Sequence, residues 1–196
     1  MYVIEDGAAT AERQAREHLR IVAEADIDAV ESNVTAGYFN KRSADEPIET
    51  RGRGPESLKA IIRWLHRAFS ELRFDVHEAF VSGERIAIRA TMHGRQHGPF
   101  VVHDSPDGAV TEVFPSLGKS LAVEHVHLFK IIDGKVDEHD AVRDDLGMAK
   151  QLGWIPPRPA TSCECFTSVV ANAVSIKEQK GVSTLVVSPI PLRNEL

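Results

Sequence analysis

Apolar residues recur at helical spacing in the first third of the chain and at alternating spacing after it. From Ala8 to Ala25 there is no Gly or Pro, and Ala15, Leu19, Val22 and Ala23 fall on one side at helical period, which predicts a helix. Asp26 is placed to cap a second helix, Ile27 to Ala36, ended by Gly37. Tyr38-Phe39-Asn40 follows, then a polar loop from Lys41 to Gly54. Pro55 opens a third helix reaching Leu72, with Leu58, Ile61, Ile62, Leu65, Ala68 and Phe69 on its apolar side and Trp64 at the edge.

After Leu72 the period changes to that of strands. Phe74, Val76, Ala79 and Phe80 predict one strand and Arg85 to His93 a second, joined by a turn at Ser82-Gly83. Gly94 to Pro106 reads as a loop with a short strand at Phe100-Val101-Val102, and Val110 to Phe114 as another short strand. Leu121 to Ile132 and Lys135 to Val142 flank Asp133-Gly134, a dipeptide that marks a tight hairpin between two such runs. Asp144 to Leu152 predicts a short helix stopped by Gly153. Helices come first and consecutive strands after, which favours an α+β fold with helices packed on one face of a mostly antiparallel sheet. Pro156, Pro157 and Pro159 close the compact part, so residues 1–157 read as one domain and 158–196 as an appended, loosely held tail. Within the tail, Phe166 to Ile176 is apolar enough for a strand or helix, and Val182 to Val187 is β-prone.

Composition narrows the function classes. The chain has 196 residues, 42% of them hydrophobic and 27% charged, with a net charge of -6, as in ordinary globular proteins. No basic stripe supports nucleic-acid binding. No apolar stretch is long enough to span a bilayer and no leader pattern opens the chain, so a cytoplasmic location is expected. Cys163 and Cys165, separated by one glutamate, are poorly placed to bond each other and read as incidental thiols.

The residues able to do chemistry gather at the hairpin. His125 and His127 lie on one strand, and Glu138, His139 and Asp140 on its partner. Imidazole exchanges protons at neutral pH, and a neighbouring carboxylate fixes its tautomer, so the cluster suits general acid–base work; the plainer alternative is a solvated sheet face. In a two-residue loop His127 would face Asp140, and in a three-residue loop His139; either way His125, His127 and Phe129 share a face. A second group, His93 to Phe100, holds His97 and Phe100 at a Gly-rich turn suited to a pocket rim. Neither cluster has the converging ligand set of a metal site. Trp64 is placed for packing, while Tyr38 and Asn40 are placed either to line a cavity mouth or to serve in a turn.

Several stretches resemble the SnoaL-like polyketide (ester) cyclases of the nuclear transport factor 2-like superfamily. They are Tyr38-Phe39-Asn40, Gly54-Pro55-Glu56, His97-Gly98-Pro99-Phe100, and above all the run from His127-Leu128-Phe129 through Asp133-Gly134-Lys135 and Glu138-His139 to Asp144-Asp145-Leu146-Gly147-Met148 and Gln151-Leu152-Gly153. The likeness spans residues 10–157. It implies a cone-shaped, strongly curved, mostly antiparallel sheet with N-terminal helices on its concave face, paired as a homodimer. It also implies intramolecular aldol ring closure of a polyketide ester, with no cofactor or metal, driven by a carboxylate on the last strand.

The family's strand histidine falls on His127, and its catalytic Asp falls on Ala141, which cannot transfer a proton. The expected acid–base groups are therefore His127 with His139 or Asp140. The expected lining is Tyr38, Asn40, Trp64, His97, Phe100, His125, Phe129 and Asp144 around a small polyketide-like substrate. Asp144 equally suits the cap of the last helix. The other readings are a non-catalytic binder of a small hydrophobic ligand, and a hydratase or epoxide-hydrolase type of reaction on the same scaffold.

Overall fold

The computed structural model of the chain describes residues 3–155, 174–179 and 182–187. The chain divides into two units, Met1–Ile155 and Pro156–Leu196. In the first, helix α1 (Val3–Glu24) buries Ala11, Ala15, His18, Leu19, Ile21 and Val22. It ends where Ala25 adopts a positive φ of 56°. The Asp26 carboxylate accepts the Ala29 N–H and caps a single 3-10 turn, which runs into the one-turn helix α2 (Val30–Asn33).

Here the structure departs from the sequence reading. The second helix stops at Asn33 instead of Ala36, and Val34–Asn40 is a strand, β1. The β-branched pair Val34-Thr35 suits an extended chain. The partner that satisfies its backbone is far away in sequence, so no local pattern announces it. Helix α3 (Pro55–Ala68) begins with proline in its first turn, where the missing N–H costs nothing. It ends four residues short of Leu72 because Phe69 turns extended and opens β2 (Phe69–Ser82), paired with β3 (Arg85–Gln96) from Phe69 opposite Gln96 onward.

Short strands β4 (Phe100–Val102) and β5 (Glu112–Phe114) form a separate ribbon. Strands β6 (Ser120–Ile132) and β7 (Lys135–Arg143) form the expected hairpin. At its turn both Asp133 (φ 48°) and Gly134 (φ 72°) lie in the left-handed region, as a two-residue turn of this kind requires. The main sheet is curved and runs β1-β7-β6-β3-β2, antiparallel except for β1 beside β7. Helix α4 (Asp145–Leu152) closes the unit.

Helices α1 and α3 cover one face of this sheet, giving the expected α+β arrangement. Leu19, Val22, Leu58, Ile61 and Ile62 pack on Ile86, Ile88, Ala90, Phe129, Ile131 and Val136. A second cluster joins Trp64, Phe69, Met92, Phe100, Leu121, Val123 and Leu152. The opposite face is mixed, with Arg89 bridging Glu78 and Glu124 and with Phe80, Leu128 and Val142 exposed. Among the described residues no helix is long and apolar enough to cross a membrane.

In the second unit, β8 (Val174–Gln179) and β9 (Val182–Val187) pair antiparallel, with Val174 opposite Val187. Cys163, Cys165, the three prolines from Pro156 to Pro159 and the run from Phe166 to Ala173 lie outside the described residues.

Candidate active site

The register of the β6–β7 hairpin decides which side chains meet, and it is neither of those expected. The turn pairs Ile132 with Lys135, as a two-residue loop should, but a bulge follows. Lys130 faces Glu138 while Ile131 faces Val136, so Asp137 is the extra residue. Its carboxylate accepts the Thr35 hydroxyl of β1 at 2.8 Å. Beyond the bulge, Phe129 faces His139, His127 faces Ala141 and His125 faces Arg143. The extra residue lets both Val136 and His139 turn inward.

The same register removes Asp140 from the expected catalytic pair. Asp140 sits opposite Leu128, whose side chain is on the exposed face, and its carboxylate accepts the neighbouring Ala141 N–H. Three other expected lining residues lie elsewhere. Asp144 accepts the Gly147 N–H at 2.8 Å and caps α4. His97 is exposed, with its ring against the His66 carbonyl. Phe129 is buried in the core, its ring stacked 5.0 Å from that of His139.

The remaining candidates converge. Tyr38, Asn40, Trp64, Phe100, His125, His127 and His139 line one cavity, together with Ala141, Arg143, His18, Glu46, Phe69, Phe74, Met92 and apolar residues of α1 and α3. The enclosed space is about 80 Å³, and the hollow counted with its open mouth is about 770 Å³.

His127 and His139 form the centre of the polar wall. Their rings stack at 5.3 Å, and Nδ1 of His127 shares a hydrogen with Nε2 of His139 at 3.1 Å. Phe74 meets His127 edge-on at 5.3 Å. Burial first, then the neighbouring His18, His125 and Arg143, holds both imidazoles well below their ordinary pKa, so both are neutral. Burial likewise pushes His18 and His125 down to about 4.

The tautomer of His18 follows from its partners. Asn33 donates its amide N–H to the Gln14 carbonyl, so its oxygen must accept the Nδ1–H of His18, at 2.9 Å. That leaves Nε2 of His18 as a bare acceptor. Among the described residues it is one of several buried polar atoms without a partner on cavity-lining residues, the others being the Tyr38 hydroxyl, Nδ1 of His125, Nε2 of His127 and Nε of Arg143. Buried polar atoms are nearly always paired, so a cluster of orphans around an apolar hollow marks a place where a ligand completes the pairing.

Beside Tyr38 lies a charged corner. Glu46 is 3% exposed and both its oxygens receive the Asn40 amide, at 3.1 and 3.3 Å. Burial, only partly opposed by the charge of Arg143, pushes its carboxyl up to about 7. Arg143 donates to Asp45 at 2.8 Å, and its Nε lies 3.2 Å from Asp145 as an ion pair without hydrogen-bond alignment. Burial works against its charge, but the two aspartates outweigh it and raise its pKa.

His18, Glu46 and Arg143 were not among the sequence candidates. His18 had a signal: it interrupts the buried stripe Ala11, Ala15, Val22 at helical spacing. Arg143 continues the inward alternation of His139 and Ala141, one residue past the expected strand end. Glu46 had none, since it lies in a polar loop. Among the described residues no three His, Cys, Asp or Glu side chains are grouped to hold a metal ion.

A curved, mostly antiparallel sheet roofed by helices over a hollow is the nuclear transport factor 2-like fold class, as in an NTF2-like protein of Burkholderia pseudomallei that superposes with a TM-score of 0.53 at 18% identity, covering 73% of this chain and 97% of that one. Within that class the chain belongs to the SnoaL-like polyketide cyclase family, whose model matches residues 12–152. It is 30% identical over 133 residues to the aklanonic acid methyl ester cyclase DnrD of Streptomyces peucetius, covering 67% of this chain and 83% of that one. The nogalonic acid methyl ester cyclase of Streptomyces nogalater is 26% identical over 127 residues, covering 64% and 84%. Among solved structures, TsrD from Streptomyces laurentii superposes with a TM-score of 0.60 at 25% identity, covering 75% of this chain and 97% of that one.

Proposed function

We propose that the chain is an enzyme of cyclase type, which moves a proton at a carbon beside a carbonyl and closes a ring by aldol addition, without a cofactor. The substrate is a polyketide-like ester of the kind named for its relatives, the methyl esters of aklanonic and nogalonic acids. The observation that carries this reading is the stacked His127–His139 pair, whose outer nitrogen, Nε2 of His127, is buried and unpartnered in a mostly apolar cavity.

A neutral imidazole with a depressed pKa is a poor proton acceptor but a sound hydrogen-bond donor. When His139 donates to Nδ1 of His127, Nε2 of His127 carries hydrogen and can bond the substrate carbonyl oxygen as it gains charge. Tyr38, held protonated by burial, offers a second donor. Exclusion of water strengthens both.

A second reading has one observation in its favour: Ala141, at the position of the family's carboxylate, bears no acid or base. In that reading the chain binds a small apolar carbonyl compound and leaves it unchanged.

Incubating the protein in D₂O with each methyl ester separates the two. An enzyme forms a ring-closed isomer, or at least exchanges the carbon-bound hydrogen beside the carbonyl, and His127→Ala slows this about 100-fold or more. Saturable binding with neither exchange nor isomer, in wild type and variant alike, would establish the binder.

A further inference from the structure

We propose that Glu46 is the base that takes the carbon-bound proton in this cavity, replacing the carboxylate that Ala141 lacks. The assignment rests on the cyclase-type reading above. Deprotonating carbon needs a group that is both placed and able to be charged, and the cavity wall offers few. His18, His125, His127 and His139 are all held neutral and weakly basic by burial. Asp140 is on the other face of the sheet. Asp45 and Asp145 are committed to Arg143, and Asp145 also to Arg42.

Glu46 differs from these in three ways. It lines the cavity while nearly sealed from water. Its carboxylate takes hydrogen bonds only from neutral groups, the Asn40 amide on both oxygens and the neighbouring Thr50 hydroxyl, which leaves part of its accepting capacity open. The cation near it, Arg143, is ion-paired to Asp45 and Asp145, so its charge steadies the carboxylate without a direct bond to it. Its backbone is also fixed: the Arg51 guanidinium donates to the Glu46 carbonyl and to those of Ala44, His103 and Ser105, tying this loop to the next.

Around Glu46 the charged or titratable groups are Arg143 on β7, Asp45 beside it, and Tyr38 on β1, whose hydroxyl feels the Glu46 charge. Arg42 and Asp145 lie at the same cavity. A carboxyl whose pKa sits near the working pH is suited to taking and returning a proton.

The step balances without a co-reactant. A Glu46 oxygen takes the proton and the C–H pair becomes the enolate double bond. The carbonyl pair moves onto oxygen, held by His127 and Tyr38. The enolate carbon then bonds the second carbonyl carbon, and that carbonyl's oxygen recovers the proton from Glu46. The product is an isomer and Glu46 is again ionised.

The test uses the full chain with the methyl esters, following ring closure and deuterium exchange across pH for wild type, Glu46→Gln, Glu46→Asp and Glu46→Gln combined with Ala141→Asp. The assignment expects wild-type kcat to rise with pH through about 7. Glu46→Gln should lose about 100-fold or more in kcat, with KM changed a few-fold and that rise abolished. Glu46→Asp should keep part of the rate, which guards against a variant that merely misfolds. The double variant should recover activity, because it restores a carboxylate facing His127. If wild type turns over and Glu46→Gln matches its kcat and pH profile, Glu46 is not the base, while the cyclase reading stands. If wild type yields neither exchange nor isomer, the cyclase reading fails and the assignment goes with it.

Discussion

His127 and Ala141 face each other across β6 and β7, both turned into the cavity. A methyl group therefore stands where the resemblance to the cyclases implied a carboxylate, opposite the imidazole of His127. The hydrogen-bond partner of His127 is instead His139, two pairs further along the ladder and on the same face. If that contact sets the tautomer of His127, His139→Ala should lower kcat about 10-fold or more while His139→Gln, which can still donate, keeps most of it. Steady-state kinetics on both variants, with circular dichroism to verify folding, checks this; equal losses would mean that the ring acts only by packing.

Tyr38→Phe separates function from stability. The Tyr38 hydroxyl is fully buried and has no partner, so its removal should leave the unfolding midpoint unchanged or raise stability by about 1 kcal/mol. If the hydroxyl bonds the substrate, kcat/KM should fall about 10-fold or more. Urea unfolding and kinetics on the same preparation measure both, and an unchanged kcat/KM would remove Tyr38 from the site.

Acid should weaken the fold over a defined window. His18 and His125 are pushed from 6.5 to about 4, chiefly by burial. Between these values the unfolded chain binds more protons than the folded one, so their contribution is complete above pH 6.5 and is lost as pH falls toward 4. The loss is on the order of 3 kcal/mol for each imidazole. Glu46 has the opposite sign: its folded pKa is raised from 4.5 to about 7, so its charge lowers stability as pH rises through that range. Glu46→Gln should therefore be more stable than wild type at pH 8. Denaturant midpoints measured from pH 4 to 8 test both signs.

Two acids near the hairpin should prove dispensable for chemistry. Asp140→Asn should keep turnover within about 2-fold of wild type, since its side chain lies on the sheet face away from the cavity. Asp144→Ala should cost about 1 kcal/mol through the lost cap of α4, lowering Tm by about 2–4 °C, with kcat close to wild type. A large kcat loss in Asp140→Asn would mean that the strand register differs in solution.

Local pattern was enough for α1, α3 and the β6–β7 hairpin, because helical and alternating periods and an Asp-Gly turn are properties of neighbouring residues. It was also enough to put His125 and His127 on one inward face. It overran α3 at Phe69, where one apolar run serves either a helix or a strand until β3 pairs with it. It missed β1 for the same reason, since the strand exists only because β7 lies beside it.

The chain's order of elements and its inward imidazoles were thus written in the sequence. Which acid meets which imidazole was not, because one bulged residue, Asp137, shifts every later partner on β7, and that bulge is stabilised by Thr35 on a strand distant in sequence. Glu46 likewise becomes a cavity residue only when its loop is pinned against β1 and β7. Burial then sets its proton affinity, and burial is a property of the folded packing, which spacing along the chain does not encode.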